Sequence, residues 1–311
     1  MSTSPRLSIG LPVYNGENYL AEAIESLLGQ TYDDFELIIS DNASSDRTGD
    51  ICRHYEAQDQ RIRYIRQPHN IGGAPNHNYL VGQARGELFK WAAHDDLYAR
   101  DLLQRCVEAL DKFPHVILAH SWTATVDGHG DIIAPIRYTL ATASSSAPER
   151  FRSMLHDVGG DDDGGVIRMS VLRRTALLGS FHHSDRTLVA ELALHGPFYQ
   201  VPDWLYFRRD HPERAERAFV TVRSWCANLD PRRSSAVRNP AIRLYAEYVW
   251  AFADAIRRAP LSKADKRECY RYLLGWLPSR FSLRRGRYVA EQPVAENVSI
   301  PIEAVVAGKG K

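Results

Sequence analysis

Strand-like and helix-like hydrophobic periods alternate through the first 120 residues, and no other feature of the chain restricts its fold as much. Leu7 to Tyr14 is a short apolar run broken by Asn15 and Gly16, after which Tyr19, Leu20, Ala23, Ile24, Leu27 and Leu28 recur at the three-and-four spacing of one helix face. The unit then repeats. Phe35 to Ser40 reads as a second strand, Asp41 to Asp46 as a polar turn and Thr48 to Ala57 as a helix. Arg63 to Arg66 is a third strand, and the Gly-rich Asn70 to Ala74 leads into a helix ending near Gln83. Leu88 to Ala92, a helix from Tyr98 to Lys112 and a strand from Val116 to Ala119 complete the series. Such alternation implies βαβ units and a mainly parallel sheet covered by helices. Ligands of such sheets collect at the carboxyl ends of the strands. The polar clusters Asn15-Gly16-Glu17, Asp41-Asn42 and His94-Asp95-Asp96 all fall at such ends.

Past residue 120 the pattern changes. Trp122 to Ile133, with Asp127 to Gly130 in its middle, reads as a hairpin. Residues 141–149 form an Ala/Ser/Thr-rich connection, and Gly159 to Gly165 a Gly/Asp loop able to move. A helix from Asp185 to His195 and a strand from Phe198 to Phe207 close the first domain. Beyond Pro212 the chain reads as helical, with Leu244 to Ile256 and Ala264 to Leu274 as the best segments. The expected fold class is therefore α/β with a helical C-terminal extension. Residues 1–212 are the main domain, in halves 1–120 and 121–212; residues 213–290 are the extension and 291–311 a flexible tail.

Charge and cysteine content narrow the functional classes. Thirty-nine Lys and Arg against 38 Asp and Glu leave a net charge of +1, which argues against nucleic-acid binding by bulk charge. Cys52, Cys106, Cys226 and Cys269 form no C-x-x-C pair, so neither zinc nor a disulfide framework is signalled. With no apolar leader at the N-terminus and no run of about 18 apolar residues, the expectation is a cytoplasmic chain that does not span a membrane.

Neither G-x-G-x-x-G nor G-x-x-x-x-G-K-S/T occurs. Carboxylates stand instead where a nucleotide would sit. Asp41, at the end of a strand, can accept hydrogen bonds from a base or a ribose, or it can simply build an Asx-turn. Asp95 and Asp96 can supply hard oxygen ligands to a divalent cation completed by substrate phosphates, or Asp96 can cap the next helix.

Four segments in order, Leu-Pro-Val-Tyr-Asn-Gly-Glu (11–17), Ile-Ile-Ser-Asp-Asn-Ala-Ser-Ser-Asp (38–46), Asn-Ile-Gly-Gly-Ala (70–74) and Ala-His-Asp-Asp-Leu-Tyr (93–98), resemble the successive motifs of family 2 glycosyltransferases with the GT-A fold. The likeness runs over roughly residues 7–210 and is strongest to residue 120. It implies a nucleotide-diphosphate sugar donor, a UDP-sugar in preference to dTDP or GDP sugars, with Mn²⁺ or Mg²⁺ and inversion at the anomeric carbon. The acceptor would be a glycan, a lipid-linked sugar or a small molecule. Carried across by position, it puts Pro12, Tyr14 and Glu17 around base and ribose and Asp41 on the base. Asn70 and the glycines after it would let the backbone approach the nucleotide. Ala93 stands where the family's more common motif has its first Asp; Asp95 is then the metal ligand, and Asp96 orients the donor or acceptor.

The same resemblance places the general base near the start of a late helix, which selects Asp185, with Glu191 in reserve. The segment Trp204 to Pro212 resembles one ending in Arg-x-His-Pro. This makes His211 a metal ligand and Arg208 or Arg209 the cation facing the leaving diphosphate. Asp161 to Asp163 read as an acceptor-site lid, since they lack calcium-loop spacing. The basic stretch Arg280, Arg284, Arg285 and Arg287 could touch anionic lipid at about 1 kcal/mol per cation, or lie solvated. Two competing classes are a nucleotidyltransferase, which would need a basic N-terminal loop, and a catalytically degenerate sugar-nucleotide-binding protein, suggested by Ala93.

Overall fold

All seven residues of β1 (Leu7–Val13) are buried, as happens when a strand has neighbours at both edges and helices over both faces. The computed structural model describes residues 4–136, 140–156 and 164–281. After β1 come α1 (Leu20–Leu28), β2 (Phe35–Asp41), α2 (Thr48–Gln58), β3 (Ile62–Arg66), α3 (Gly73–Gln83), β4 (Leu88–Trp91), β5 (Leu97–Tyr98) and α4 (Leu102–Lys112). The second half adds β6 (Leu118–Val126), β7 (Ile132–Ile136), α5 (Ala147–His156), β8 (Val166–Arg168), α6 (Met169–Leu172), α7 (Ser184–His195) and β9 (Phe198–Arg209). It ends with α8 (Ala215–Ala218), α9 (Val222–Leu229), α10 (Ala241–Arg258) and α11 (Lys263–Phe281).

Among the described residues the strands form one sheet, ordered β3-β2-β1-β4-β8-β6-β9-β5, with β7 pairing the later part of β6 beyond β8. The β3-β2-β1-β4 half is parallel, as the βαβ repeat requires. The second half is mixed: β6 and β9 are parallel, while β8, β7 and β5 run against their neighbours. Side chains alternate across the strands. Leu7, Ile9, Leu11, Leu37 and Ile39 join one core with α1 and α4, whereas Ile38 and Phe89 join a second core with α3, α5, α7, α10 and α11. Phe252, Ile256, Cys269 and Trp276 of the C-terminal helices belong to that second core, so the extension shares its interior with the sheet.

Several elements depart from the expected pattern. The helix expected from Tyr98 begins at Leu102, because Leu97 and Tyr98 pair with Phe207 and Tyr206 of β9 and the two tyrosine rings stack. The strand at 116–119 and the first arm of the hairpin are one continuous β6. The connection at 141–149 ends in the first turn of α5, where the Glu149 N–H donates to the Ser146 hydroxyl and Pro148 needs no donor. Segments β8, α6, α8 and α9 have no sequence signal strong enough to foresee. Most of the Gly159 to Gly165 loop, including Asp161 to Asp163, lies outside the described residues. So do Arg284, Arg285, Arg287 and the tail from Glu291. All four cysteines are buried and free, and no helix among the described residues is long and apolar enough to cross a membrane.

Two local devices fix the first half of the sheet. The buried Glu36 carboxylate accepts from the Ser8 hydroxyl and from the backbone and side chain of Arg85, tying β2 to β1 and to the approach of β4. Burial alone would raise its pKa, but the Arg85 and Ser8 hydrogen bonds outweigh burial and leave it lowered. Gly72 has φ +94°, and a Cβ there would lie 2.5 Å from the Leu229 carbonyl oxygen, so its missing side chain admits the end of α9.

A Gly72→Ala protein should therefore lose about 2 kcal/mol or more in denaturant unfolding, while Gly82→Ala, facing open space in α3, should gain about 0.5–1 kcal/mol. The depressed Glu36 pKa means that its contribution is present above the ordinary carboxylate range and is lost as pH falls through and below that range. Unfolding measured between neutral and strongly acid pH should show a shallower acid decline for Glu36→Gln than for the native chain.

Candidate active site

The ends of β1, β2 and β4, the start of α3 and the segment after β9 enclose a cleft of about 660 Å³. Of the residues selected from the sequence, Pro12, Tyr14, Glu17, Asn70, Asp95 and His211 line it. Asp41, Asp96, Arg208, Arg209 and Asp185 do not.

Asp95 and His211 come from segments 116 residues apart, yet Oδ2 of one is 3.0 Å from Nε2 of the other. Burial opposes the charged carboxylate, but the His211 hydrogen bond and the nearby His94 and Arg214 prevail and hold Asp95 well below its usual pKa. The Tyr19 ring packs on His211, centroid to centroid 4.7 Å. His94 lies directly on the Gly16 backbone, where an added Cβ would meet its ring at 2.5 Å. The donor set fits a hard divalent ion: two adjacent ligands of an octahedral centre at about 2.1 Å stand about 3.0 Å apart, the separation found here. Among the described residues no third His, Cys, Asp or Glu completes a protein-only cage, so the remaining positions would fall to substrate oxygens and water.

Asp96 has a different task from the one expected. It is buried beneath the cleft and accepts from the Arg209 backbone N–H at 2.9 Å, from the Tyr206 hydroxyl and from Arg214 at 3.4 Å. Burial first, and Asp95 beside it second, raise its pKa. Arg209 is equally committed. Its fully buried guanidinium donates to the Asp95 carbonyl, the Gly128 carbonyl and Glu22, and lies 4.6 Å from the Tyr19 ring centroid. It cannot face a leaving diphosphate. Arg208, opposite Thr125 on the paired strand, is also off the cleft. The cation on the cleft wall is Arg214, which nothing in the sequence spacing distinguished from its neighbours.

The turn after β2 corrects a second expectation. Asp41 is buried, and its carboxylate accepts from the Ser44 N–H, the Tyr64 hydroxyl and Arg66, each at 2.8 Å. The Asx-turn alternative describes it. Its neighbour Asn42 reaches the cleft and bridges to Asn70 and the Ile71 N–H. Glu17 keeps a place on the wall while accepting from the backbone and side chain of Arg47. Tyr14 is 47% exposed at the cleft. The glycines after Asn70 divide their work, since Gly72 meets α9 and only Gly73 lines the cleft.

Asp185 is exposed on the first turn of α7. The same approach to α7 carries His182, whose ring is 5.7 Å from that of the cleft residue Trp225. Glu191, the reserve base, is buried and paired with Arg258 at 2.9 Å. Sequence reasoning also missed His77, whose Nδ1 sits 2.8 Å from the Gly73 carbonyl. That contact is favourable only if Nδ1 carries the proton, leaving Nε2 as an acceptor; burial lowers the His77 pKa, which favours the neutral ring.

Replacing Arg209 with Lys keeps the charge but loses the fork that spans three partners. The expected result is a loss of about 2 kcal/mol or more in stability, because the Asp95 turn loses its support, and thermal unfolding checks it.

The family model for glycosyl transferase family 2 matches residues 8–177, more than half of the chain. An uncharacterized glycosyltransferase of Rickettsia typhi is 38% identical over 109 residues, 35% of this chain and 33% of its own length. Glycosyltransferase GlyG of Streptococcus pneumoniae is 34% identical over 101 residues, 32% of this chain and 34% of its own. The matched segment thus spans about a third of these curated relatives. Among solved structures, residues 1–349 of S. aureus TarS in complex with UDP align at TM-score 0.54 and 17% identity, over 91% of this chain and 93% of that one. The mannosyltransferase PcManGT of Pyrobaculum calidifontis, in complex with GDP-Man and Mn²⁺, aligns at 0.52 and 16%, over 91% and 89%. The sheet, the cleft at its carboxyl edge and the matched motifs agree with the GT-A architecture of these neighbours, and the chain belongs to glycosyl transferase family 2.

Proposed function

We propose that the chain is an inverting glycosyltransferase that moves a sugar from a nucleoside-diphosphate donor, a UDP-sugar by preference, to a hydroxyl of a glycan, lipid-linked sugar or small molecule. The observation that carries this reading is the 3.0 Å Asp95 to His211 pair on the wall of the cleft. UDP in the TarS complex and GDP-Man with Mn²⁺ in the PcManGT complex support the donor class. Mn²⁺ or Mg²⁺ held by Asp95 and His211 would neutralise charge on the diphosphate.

The chain's own residues divide the remaining work. Tyr14 offers its exposed ring to the base, with Pro12, Glu17 and Asn70 around base and ribose. Arg214 takes the leaving-group role that Arg208 and Arg209 cannot fill. Asp185 removes the acceptor proton as the acceptor oxygen bonds to the anomeric carbon and the bond to the diphosphate oxygen breaks. Among the described residues lining the cleft, Arg214 is the only Arg or Lys, which disfavours a site built for triphosphate and so the nucleotidyltransferase alternative. Residues 1–212 are assigned the donor, metal and base residues named here apart from Arg214, and the chain from residue 213 adds Arg214, Trp225 and Asn228 to the cleft wall. A cytoplasmic location agrees with the four buried free thiols.

Calorimetric titration with UDP-sugars and GDP-mannose, with Mn²⁺ and after EDTA, tests the reading. At least one donor should bind, and EDTA or Asp95→Asn should weaken it about tenfold or more. Asp185→Asn should bind donor as the native chain does while transfer falls by about 10²–10⁴. Full transfer by Asp185→Asn would remove that residue from the mechanism, and a chain bound by no donor would remove the whole assignment.

A further inference from the structure

We infer that a second cavity, between α7, residues 176–181 and α10, is a binding subsite for neutral carbohydrate. The inference rests on the glycosyltransferase reading, and the subsite would hold sugar units of the acceptor remote from the hydroxyl that reacts. The cavity measures about 320 Å³ and shares no lining residue with the donor cleft. That volume is at the small end of the range of ligand pockets, about 300–1,000 Å³.

Its lining has the chemistry of pyranose recognition. Trp250 presents an indole that is 66% exposed and has no ring or hydrogen-bond partner among the described residues. It is free to take the apolar face of a sugar ring. Beside it two guanidiniums are fixed by carboxylates: Arg233 meets both oxygens of Glu247 at 2.8 and 3.0 Å, and Arg258 meets Glu191 at 2.9 Å and Asp254 at 2.8 Å. These pairs are held before any ligand arrives, and their unused lone pairs and Arg233 Nε and Nη2 suit neighbouring hydroxyls. The Ser180 hydroxyl on the same wall makes no hydrogen bond among the described residues. The carboxylates Glu191, Glu247 and Asp254 are each paired with arginine, Arg243 and Arg257 adding to Arg233 and Arg258, so the charges of the wall are already matched and suit neutral hydroxyls.

The backbone around the cavity is strained and braced. Leu177 has φ +59°, a conformation that non-glycine residues hold mainly where surrounding contacts enforce it, often at binding sites. Its N–H donates to the Thr175 hydroxyl, and the next residue, Leu178, is held at both its N–H and its carbonyl by Asn78 of α3. The two walls also connect to the cleft. Asn76 and His77 of α3 line it, as do Trp225 and Asn228 of α9, the helix that precedes Arg233.

Saturation-transfer NMR on the full chain, with UDP and Mn²⁺ at saturation, tests the subsite against tetrasaccharides of glucose, galactose, mannose and N-acetylglucosamine. A phosphorylated tetrasaccharide completes the panel. At least one neutral member should bind without displacement by UDP, and Trp250→Ala or Arg233→Lys should weaken it about fivefold, the scale of one aromatic contact. UDP affinity should be unchanged in both variants. Absence of any neutral binder, displacement by UDP, preference for the phosphorylated member or undiminished binding by Trp250→Ala would each overturn the subsite. Failure of the native chain to bind UDP is read separately and counts against the glycosyltransferase assignment instead.

Discussion

The buried guanidinium of Arg209 joins three parts of the chain: the Asp95 turn after β4, the Gly128 turn of the β6–β7 hairpin and Glu22 of α1. Its backbone N–H holds Asp96 as well. A charge taken out of water is tolerated only when its donors are matched, and here the partners come from the Asp95 turn, the β6–β7 hairpin and α1. The position of Asp95, and hence its 3.0 Å approach to His211, follows from that bracket. Tyr19 completes it by packing on both Arg209 and His211.

Adjacent residues in this region have opposite duties because a strand or tight turn sends successive side chains in opposite directions. Asp95 faces the cleft and Asp96 faces the interior. Asp41 is consumed by its own turn, and Asn42 reaches out to Asn70. The inward members are hydrogen-bonded within the protein and give the outward members a fixed direction. The electrostatics follow the same division, with the His211 hydrogen bond and Arg214 among the causes that lower the Asp95 pKa and burial raising that of Asp96.

The C-terminal helices contribute more than a cover. Phe252, Ile256 and Trp276 fill the core on the α3, α5 and α7 side of the sheet. The end of α9 lies against Gly72, at the entry of the helix that brings Asn76 and His77 to the cleft. Packing density in such a core is crystal-like, so the cleft wall formed by Trp225 and Asn228 is positioned from both sides.

Much of the first 120 residues was legible because period-2 and period-3.6 hydrophobicity, together with polar residues at strand ends, are local properties. They gave the βαβ repeat, the edge of the sheet where the cleft lies and the polar clusters holding Glu17 and Asp95; Pro12, Tyr14 and Asn70 on its wall were implied by the family resemblance. The second half was less legible. A two-residue strand such as β5 and a four-residue helix such as α8 contain too few residues to establish a period. Which of Arg208, Arg209 and Arg214 would meet the cleft was beyond sequence as well, since that depends on how β9 is turned against β6 and β5. Residue type and order determined the fold and the kind of chemistry the chain can host; long-range packing, which alone decides which carboxylate is buried and which is open, determined where that chemistry is carried.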